Sequence, residues 1–197
     1  MHFLDPLFII KTLGLIGVLA IVFAESGLFF GFFLPGDSLL FTAGLLASQG
    51  YLNIFALIIG SFIMAVLGDS VGYAFGKKVG PAIFTKENSL FFNKKYLLEA
   101  ESFYKKYGKK TIVIARFVPI VRTFAPILAG VGKMEYKTFL SYNILGGMLW
   151  SFGLTILGFI LGNTIPNIDR YILPIIIVIV AVSLLPGLVH FWRDRKI

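Results

Sequence analysis

The chain has 197 residues, of which 57% are hydrophobic and only 14% are charged, and its mean hydropathy is +0.88. A soluble domain is typically about 45–50% apolar and about 25% charged, so the composition excludes an ordinary soluble protein and indicates an integral membrane protein. The net charge of +8 does not by itself indicate nucleic acid binding, because most of the lysines fall in one loop, as the positive-inside rule requires. We therefore expect no nucleic acid partner.

Cysteine is absent, which excludes disulfides, thiolate zinc sites and a cysteine nucleophile. The two histidines, His2 and His190, lie near opposite ends of the chain, and no cluster of His, Asp and Glu has the spacing of a metal site. No nucleophile–base pair is visible in the sequence. We therefore expect no metal, no cofactor and no enzyme active site.

The length fits a single polytopic membrane domain over residues 1–197. The first apolar run, at 13–24, predicts a membrane helix that is retained in the protein. A signal peptide with a cleavage site at 22–24 is the alternative. The region before the run is nearly neutral and more apolar sequence follows it, which favours a retained helix.

Residues 25–44 carry two carboxylates, Glu25 and Asp37, in otherwise apolar sequence, together with a turn signal at Pro35-Gly36. Both acids have a simple explanation as helix caps, because an acid near a helix N-terminus is stabilised by the helix dipole. Capping is compatible with function, since a half-helix that begins inside the membrane also suits an anion.

The next apolar run, at 52–75, predicts a spanning helix with glycines at every fourth position from Gly68 to Gly80. Small residues at this spacing let helices approach closely, so we expect these glycines to serve packing. Asp69 lies among them and is unfavourable in a membrane unless it is paired or near the interface. Lys77 and Lys78 follow it closely, which favours an interfacial position.

Nine lysines and three glutamates lie between residues 77 and 110. Aromatic residues and leucines recur at roughly helical spacing within 90–107, which predicts an amphipathic helix on the membrane surface. Anionic lipid explains these lysines better than nucleic acid does. This linker, taken as 81–110, separates a first half at about 9–80 from a second half at 111–192.

The stretch 111–131 is membrane-like sequence that nevertheless contains Arg116, Arg122, Pro119 and Pro126. Its Leu, Ile, Val and Phe residues favour insertion by roughly 3–7 kcal/mol in total, whereas each arginine opposes insertion by about 2.5–3.5 kcal/mol. Each proline removes a backbone donor, and hydrocarbon supplies no water to repair the gap. The stretch therefore predicts a broken, re-entrant hairpin that carries two cations into the membrane.

Two further apolar runs, 139–161 and 172–189, predict spanning helices, and the first contains Asn143. The loop 77–110 and the tail 193–196 are both basic, so both are expected in the cytoplasm. One of the three segments between them must then enter the membrane and return, and 111–131 is the obvious one.

Counting backwards from the same loop makes 26–47 a second re-entrant hairpin, inserted from outside, and places the N-terminus in the cytoplasm with the C-terminus. The predicted fold class is therefore all-α, an inverted repeat whose two hairpins enter from opposite sides of the membrane. The sequence echo between the halves is faint: Pro35 precedes Ala43-Gly44 much as Pro119 precedes Ala129-Gly130.

These features together resemble the DedA family, bacterial relatives of the VTT-domain lipid scramblases of eukaryotes. The resemblance covers about residues 10–162 and is carried by these blocks: 25–27 with 34–38, 68–73, 116–122, 125–126, 129–130 and 142–150. It implies two oppositely inserted re-entrant hairpins in the bacterial cytoplasmic (inner) membrane. It also implies translocation of undecaprenyl phosphate or phosphatidylethanolamine, with dependence on the proton-motive force. The family's essential acids fall on Glu25 and Asp37, and its essential arginines on Arg116 and Arg122.

Translocation of a phosphate-bearing lipid is the favoured function, because an arginine pairs two phosphate oxygens with its planar fork and stays charged. Arg116 and Arg122 would bind the phosphate, while Glu25 and Asp37 would pair with them and carry protons. The arginines would lie about 120° apart on an ideal helix, so a break at Pro119 is needed if both are to meet one phosphate. The residues expected to support the site are Asp69, Pro35, Gly36, Pro119, Pro126 and Asn143.

Four alternatives remain open from the sequence. They are a proton or cation antiporter, a passive lipid scramblase, an enzyme that acts on a lipid phosphate, and a structural protein whose ion pairs only hold two hairpins together. The expected partners are membrane lipids, either a polyprenyl phosphate or a phospholipid, and protons. A homo-oligomer is compatible with the sequence but is not indicated by it.

Overall fold

The computed structural model describes residues 6–28, 31, 34–83, 108–165 and 174. These ranges contain helices and no strand, which confirms the all-α class for this part of the chain. The helices are α1 (Pro6–Gly27), α2 (Gly36–Ser48), α3 (Ile54–Ile83), α4 (Thr111–Ala115), α5 (Pro119–Val131) and α6 (Tyr136–Thr164), with a 3-10 turn at Gly108–Lys110 before α4. The predicted amphipathic helix at 90–107 lies outside the described residues, as does the predicted last span at 172–189 except for residue 174.

Two helices, α3 and α6, are long and apolar enough to cross a membrane, over Ile54–Val79 and Tyr136–Thr164. At 1.5 Å per residue they are roughly 40 Å long, which exceeds the ~30 Å of hydrocarbon in a bilayer. One face of α3 exposes large apolar side chains at intervals of four residues, namely Phe55, Ile59, Ile63, Leu67, Val71 and Phe75. A continuous apolar stripe of this kind suits contact with lipid. The helices predicted from the runs 52–75 and 139–161 are thus confirmed, with longer bounds.

The helices α2 and α5 have 13 residues each. A helix of that length is only about 20 Å long and cannot cross the hydrocarbon alone. Each of them follows an interruption between two helices. The first break separates the end of α1 at Gly27 from the start of α2 at Gly36, and the second lies between α4 and α5.

The break between α4 and α5 occurs at 116–118, as the sequence predicts. Val118 has extended backbone, with φ of −118° and ψ of 109°, as the residue before a proline prefers. Pro119 is the first residue of α5, where its missing N–H would have no partner within the helix anyway. The break therefore follows directly from local chemistry.

The prediction that Pro126 also breaks the hairpin is wrong. Pro126 lies inside α5, which continues through it to Val131. The residue is buried, and it packs beside Gly72 of α3, where an added Cβ would lie 3.5 Å from the Pro126 Cβ. The packing of α5 on α3 therefore outweighs the backbone bond that this proline removes.

Close contact between α1 and α3 depends on a pair of glycines. A Cβ at Gly27 would lie 2.9 Å from the carbonyl oxygen of Gly68, and a Cβ at Gly68 would lie 2.8 Å from that of Phe23. The predicted packing role of the α3 glycines is confirmed here. Further along its length, α1 is kinked at Gly14, whose φ of 60° lies in the left-handed region that glycine alone adopts readily.

The short helix of each half packs on the long helix of the other half: α2 packs on α6, and α5 packs on α3. At each crossing, a glycine on one helix lies against the backbone of the other helix, and the reverse is also true. A Cβ at Gly44 would overlap the carbonyl of Thr155, and one at Gly158 would overlap that of Phe41.

The α5–α3 crossing repeats this contact. A Cβ at Gly130 would overlap the carbonyl of Tyr73, and one at Gly76 would overlap that of Ile127. The two contacts correspond residue by residue. Tyr73 and Gly76 of α3 precede Thr155 and Gly158 of α6 by the same number of residues, and Phe41 and Gly44 of α2 likewise precede Ile127 and Gly130 of α5 by one common number. The faint echo between Ala43-Gly44 and Ala129-Gly130 in the sequence therefore marks equivalent helix contacts in the two halves.

Candidate functional site

Glu25 lies near the end of α1 and is only 1% exposed. Its Oε1 accepts a hydrogen bond of 3.2 Å from the backbone N–H of Gly36, the first residue of α2. Glu25 thus caps a helix N-terminus, although the helix is α2 and not its own. A Cβ at Gly36 would overlap the Glu25 carboxylate, so the predicted Pro35-Gly36 turn leaves room for an acid that approaches from the preceding helix.

Asp37 lies in the first turn of α2, after Pro35 at the N-cap position. The helix dipole favours a negative charge at this place, as the sequence analysis expected. The Asp37 carboxylate also pairs with Arg122, whose Nη1 lies 2.6 Å from Asp37 Oδ1. Stabilisation of the helix end does not by itself account for this ion pair.

Arg122, in the first turn of α5, joins the two halves of the chain. Its Nη2 forms an ion pair with Glu25 Oε1, while its Nη1 binds Asp37. One guanidinium group is therefore shared by two carboxylates, and the N-terminal turns of α2 and α5 meet at this point. Sequence analysis placed all three residues in one site, and the structure brings them together.

Arg116 follows α4 directly, in the break, and forms an ion pair with Asp69 of α3. Its Nη2 also donates to Asn143 Oδ1 at 3.0 Å and to the carbonyl of Ala65 at 3.3 Å. Asn143 in turn donates from Nδ2 to the carbonyl of Val66 at 3.1 Å. The structure thus brings together Arg116 and two residues that the sequence suggested only as supporting ones.

The sequence left Asp69 two ways to be stabilised, pairing or an interfacial position, and favoured the interface. The structure shows the pairing: Asp69 is 5% exposed, and its carboxylate is paired with Arg116 inside the protein. The opposite charge of Arg116 therefore compensates the buried carboxylate. The pair fits because α6 has two consecutive glycines opposite it: a Cβ at Gly147 would lie 2.6 Å from Arg116 Nη1, and one at Gly146 would lie 3.3 Å from the Cα of Val113.

Trp150 of α6 is a site residue that sequence reasoning missed. Its Nε1 donates to Asp37 Oδ1 at 2.8 Å. The ring centroid lies 5.1 Å from Arg122 Cζ and 5.8 Å from Arg116 Cζ. The break at 116–118 therefore brings both arginines to the same indole. A signal was present, because Trp150 follows Asn143 by two helical turns and thus shares its face of α6.

Several polar atoms of this cluster are buried without a hydrogen-bond partner among the described residues. They include Arg116 Nη1, Arg122 Nε and Glu25 Oε2. A buried donor or acceptor that is left unsatisfied costs about 1–3 kcal/mol. Within the described ranges, no group of three His, Cys, Asp or Glu residues could hold a metal ion. The cluster itself consists of ion pairs between side chains, with buried donors that have no partner among the described residues.

Residues 34–160 match the model of the VTT domain. The chain is also 44% identical to protein DedA of Escherichia coli over 178 residues, which cover 89% of this chain and 81% of that protein. The chain belongs to the DedA family. The resemblance seen in the sequence is thereby confirmed, and the VTT match contains every residue of the ion cluster except Glu25.

The names of two other relatives indicate a membrane protein and mention no substrate. An uncharacterized membrane protein of Mycobacterium leprae is 46% identical over 199 residues, covering 98% of this chain and 89% of that protein. The inner membrane protein YqjA of Escherichia coli is 31% identical over 184 residues, covering 89% of this chain and 82% of that protein. No solved structure matches the chain. The chain is thus a DedA-family membrane protein with apolar helices.

Proposed function

We propose that this DedA-family protein is a transporter, not an enzyme, and that it moves a phosphate-bearing lipid across the bacterial cytoplasmic membrane. The lipid is a polyprenyl phosphate, such as undecaprenyl phosphate, or a phospholipid such as phosphatidylethanolamine. Arg122 and Arg116 bind the lipid phosphate, and protons taken up by Glu25 and Asp37 accompany it.

The observation that carries this proposal is the pair of buried donors, Arg116 Nη1 and Arg122 Nε, that have no acceptor among the described residues. Both guanidinium groups lie against Trp150. Buried donors in proteins are almost always paired, so ion pairs that serve only to hold two hairpins together do not explain them. A phosphate offers several acceptor oxygens and matches the arginine fork, so one phosphate at this position satisfies donors from both arginines.

Charge balance supports the involvement of protons. The cluster contains three carboxylates, those of Glu25, Asp37 and Asp69, against two guanidinium groups. The monoester of a polyprenyl phosphate adds a charge of about −1.5 to −2, the phosphodiester of a phospholipid adds one negative charge, and burying uncompensated charge is strongly unfavourable. Binding of the phosphate therefore requires carboxylates to become neutral, and the two acids that share Arg122 release it when they take up protons.

The two arginines have different roles in this exchange. Arg122 is held by two acids that can both be neutralised, so it is the group that changes partner. Arg116 is held by Asp69, Asn143 and the carbonyl of Ala65, so it stays in place and offers its Nη1. Charged groups at membrane depth are usually functional for this kind of reason.

Membrane placement follows from the lengths of the helices. Because α2 and α5 are each about 20 Å long and begin at the same ion cluster, we propose that each follows a re-entrant break and reaches only part of the way through the bilayer, from opposite sides. In this proposal both termini lie in the cytoplasm, which the basic loop at 77–110 and the basic tail favour. Single cysteines can test this placement, because the chain has none.

Cysteines at Lys110 and Lys133, both exposed, are expected to react with an impermeant maleimide from the cytoplasmic side only. These positions flank the α4–α5 hairpin. Labelling of the two positions from opposite faces would show that the segment crosses the membrane and would reject the re-entrant hairpin.

Transport is tested with purified protein in vesicles that contain a fluorescent phosphatidylethanolamine or a fluorescent polyprenyl phosphate, with an impermeant reductant to bleach the outer leaflet. A glucosylceramide with the same fluorophore serves as the phosphate-free lipid. We expect transport of a phosphate lipid and not of the glycolipid. Replacing Arg122→Lys keeps the charge but loses the fork, and the loss of one charge-assisted bond is expected to slow transport by about tenfold or more.

Lys137→Arg, at an exposed position of α6, is the matched control and should leave the rate unchanged. Equal rates for the phosphate lipid and the glycolipid would reject phosphate recognition. Wild-type rates for Arg122→Lys and Arg116→Lys would reduce the arginines to simple counter-ions. An ion flux without lipid movement would establish the antiporter instead.

A further inference from the structure

We propose that Trp150 is the positioning residue of the exchange: its indole N–H holds Asp37 and its ring supports Arg122 while Arg122 moves between the carboxylates and the lipid phosphate. This inference rests on the proposed function and names the residue that makes the change of partners feasible inside the membrane. The event that it assists is a change of ion-pair partner, in which the Arg122 guanidinium leaves carboxylate oxygen atoms and binds phosphate oxygen atoms.

The first observation is that Asp37 Oδ1 accepts two hydrogen bonds, from Arg122 Nη1 at 2.6 Å and from Trp150 Nε1 at 2.8 Å. When Arg122 turns to a phosphate, the indole N–H remains on the same oxygen. Asp37 is therefore kept in place and retains a donor throughout the exchange. Phenylalanine at this position would keep an aromatic ring but would lose that donor.

The second observation concerns the ring. The guanidinium carbons of Arg122 and Arg116 lie 5.1 Å and 5.8 Å from its centroid, within the range of a cation–π interaction. This attraction is strongest where water is excluded, and Trp150 is only 4% exposed. A cation that leaves a carboxylate in this site thus keeps a favourable contact until the phosphate receives it.

A role in packing alone is the competing explanation, since Trp150 also belongs to an apolar cluster with Leu39, Leu40 and Ala43 of α2. Packing does not require an N–H directed at a carboxylate, and it is served equally well by another aromatic residue. The two explanations therefore differ in what they predict for Trp150→Phe.

The first experiment measures lipid movement in vesicles for Trp150→Phe, Trp150→Leu and Phe152→Leu. Phe152 lies on the same helix and packs edge-on against Phe62 with ring centroids 5.9 Å apart, so its variant is the control for loss of an aromatic ring. We expect the rate to fall about tenfold in Trp150→Phe, since one hydrogen bond to a charged group is lost, and further in Trp150→Leu. Phe152→Leu should keep the wild-type rate.

The second experiment keeps Trp150 itself, and its main comparison uses the unaltered site, so it does not depend on whether the Trp150 variants fold. In a Trp192→Phe background, Trp150 is the only tryptophan, and indole emission responds to charges near the ring. Titration of the protein in detergent with geranylgeranyl phosphate or dihexanoyl phosphatidylethanolamine is expected to change the emission saturably for at least one of the two. Geranylgeraniol should have no effect, and Arg122→Lys should weaken the response.

The outcomes separate this inference from the proposed function. A wild-type protein that moves a phosphate lipid, together with a Trp150→Phe variant of equal rate, overturns the role of Trp150 and leaves lipid transport intact. Unchanged emission in a transport-competent protein overturns it as well. A wild-type protein that moves no phosphate lipid rejects the proposed function and this inference together.

Discussion

Removal of Asp69 alone should destabilise the protein more than removal of the whole Arg116–Asp69 pair. In Asp69→Leu, the Arg116 guanidinium stays buried with only the neutral acceptors Asn143 Oδ1 and the Ala65 carbonyl. In Arg116→Met, the Asp69 carboxylate stays buried without its cation. Breaking a buried ion pair from one side typically costs about 3–5 kcal/mol.

The double variant leaves neither charge behind. Its main remaining loss is the donor to Asn143 Oδ1, because Asn143 Nδ2 keeps its bond to the Val66 carbonyl. We expect a cost of about 1–3 kcal/mol for this acceptor, well below the sum of the two single changes. Asp69→Asn should fall between wild type and Asp69→Leu, since its amide oxygen still accepts a bond from Arg116.

The assay is thermal unfolding of the purified variants in detergent, followed as the monodisperse fraction on size exclusion. For a chain of this length, 1 kcal/mol corresponds to about 2–4 °C, so each single variant should lose roughly 6–20 °C and the double variant clearly less. Asp69→Leu should be partly rescued by adding Arg116→Met. A double variant whose loss equals the sum of the single losses would refute the buried pair and with it this account of Arg116.

Three further predictions concern the packing and the site. Gly158→Ala should destabilise the protein by about 1–3 kcal/mol, because its Cβ overlaps the Phe41 carbonyl. Gly153→Ala on the same helix meets nothing within 4 Å and should be neutral or slightly stabilising. Thermal unfolding compares the two variants, and equal losses of stability would contradict the α2–α6 crossing. Gly36→Ala should displace the Glu25 carboxylate and reduce transport about as much as Glu25→Ala does. Gly153→Ala, whose Cβ meets nothing within 4 Å, is the control in the vesicle assay. Glu25→Gln and Asp37→Asn should abolish the response of transport to an imposed proton gradient in vesicles while the protein remains folded; a wild-type rate indifferent to both pH and gradient would reject proton coupling and favour a passive scramblase.

Much of the architecture can be predicted from local sequence. Hydropathy alone indicates the helices that became α3 and α6, because a long apolar run needs a membrane to bury it. The break at 116–118 follows from Pro119, which restricts the residue before it and starts a helix without an N–H. Glu25, Asp37, Arg116 and Arg122 could be selected as site residues from the sequence because charges in apolar runs are rare unless they function.

Which charge meets which was decided only by tertiary structure. Arg116 pairs with Asp69, 47 residues away, and Trp150 reaches Asp37 across 113 residues. The periodicity of the local sequence does not show which of these residues will meet. Their pairing depends on how α5 lies on α3 and how α2 lies on α6.

The same holds for Pro126, where local rules favoured a helix break, and for Asp69, where they left pairing and an interfacial position open. Packing against Gly72 keeps α5 continuous through Pro126, and the Arg116 guanidinium replaces water around the Asp69 carboxylate. In both cases, a residue that is distant in sequence provides the stabilising contact. Local rules would have expected it from a backbone hydrogen bond at Pro126 and from water at Asp69. A helix crossing brings such neighbours together, and the crossing exists only once the whole chain has folded.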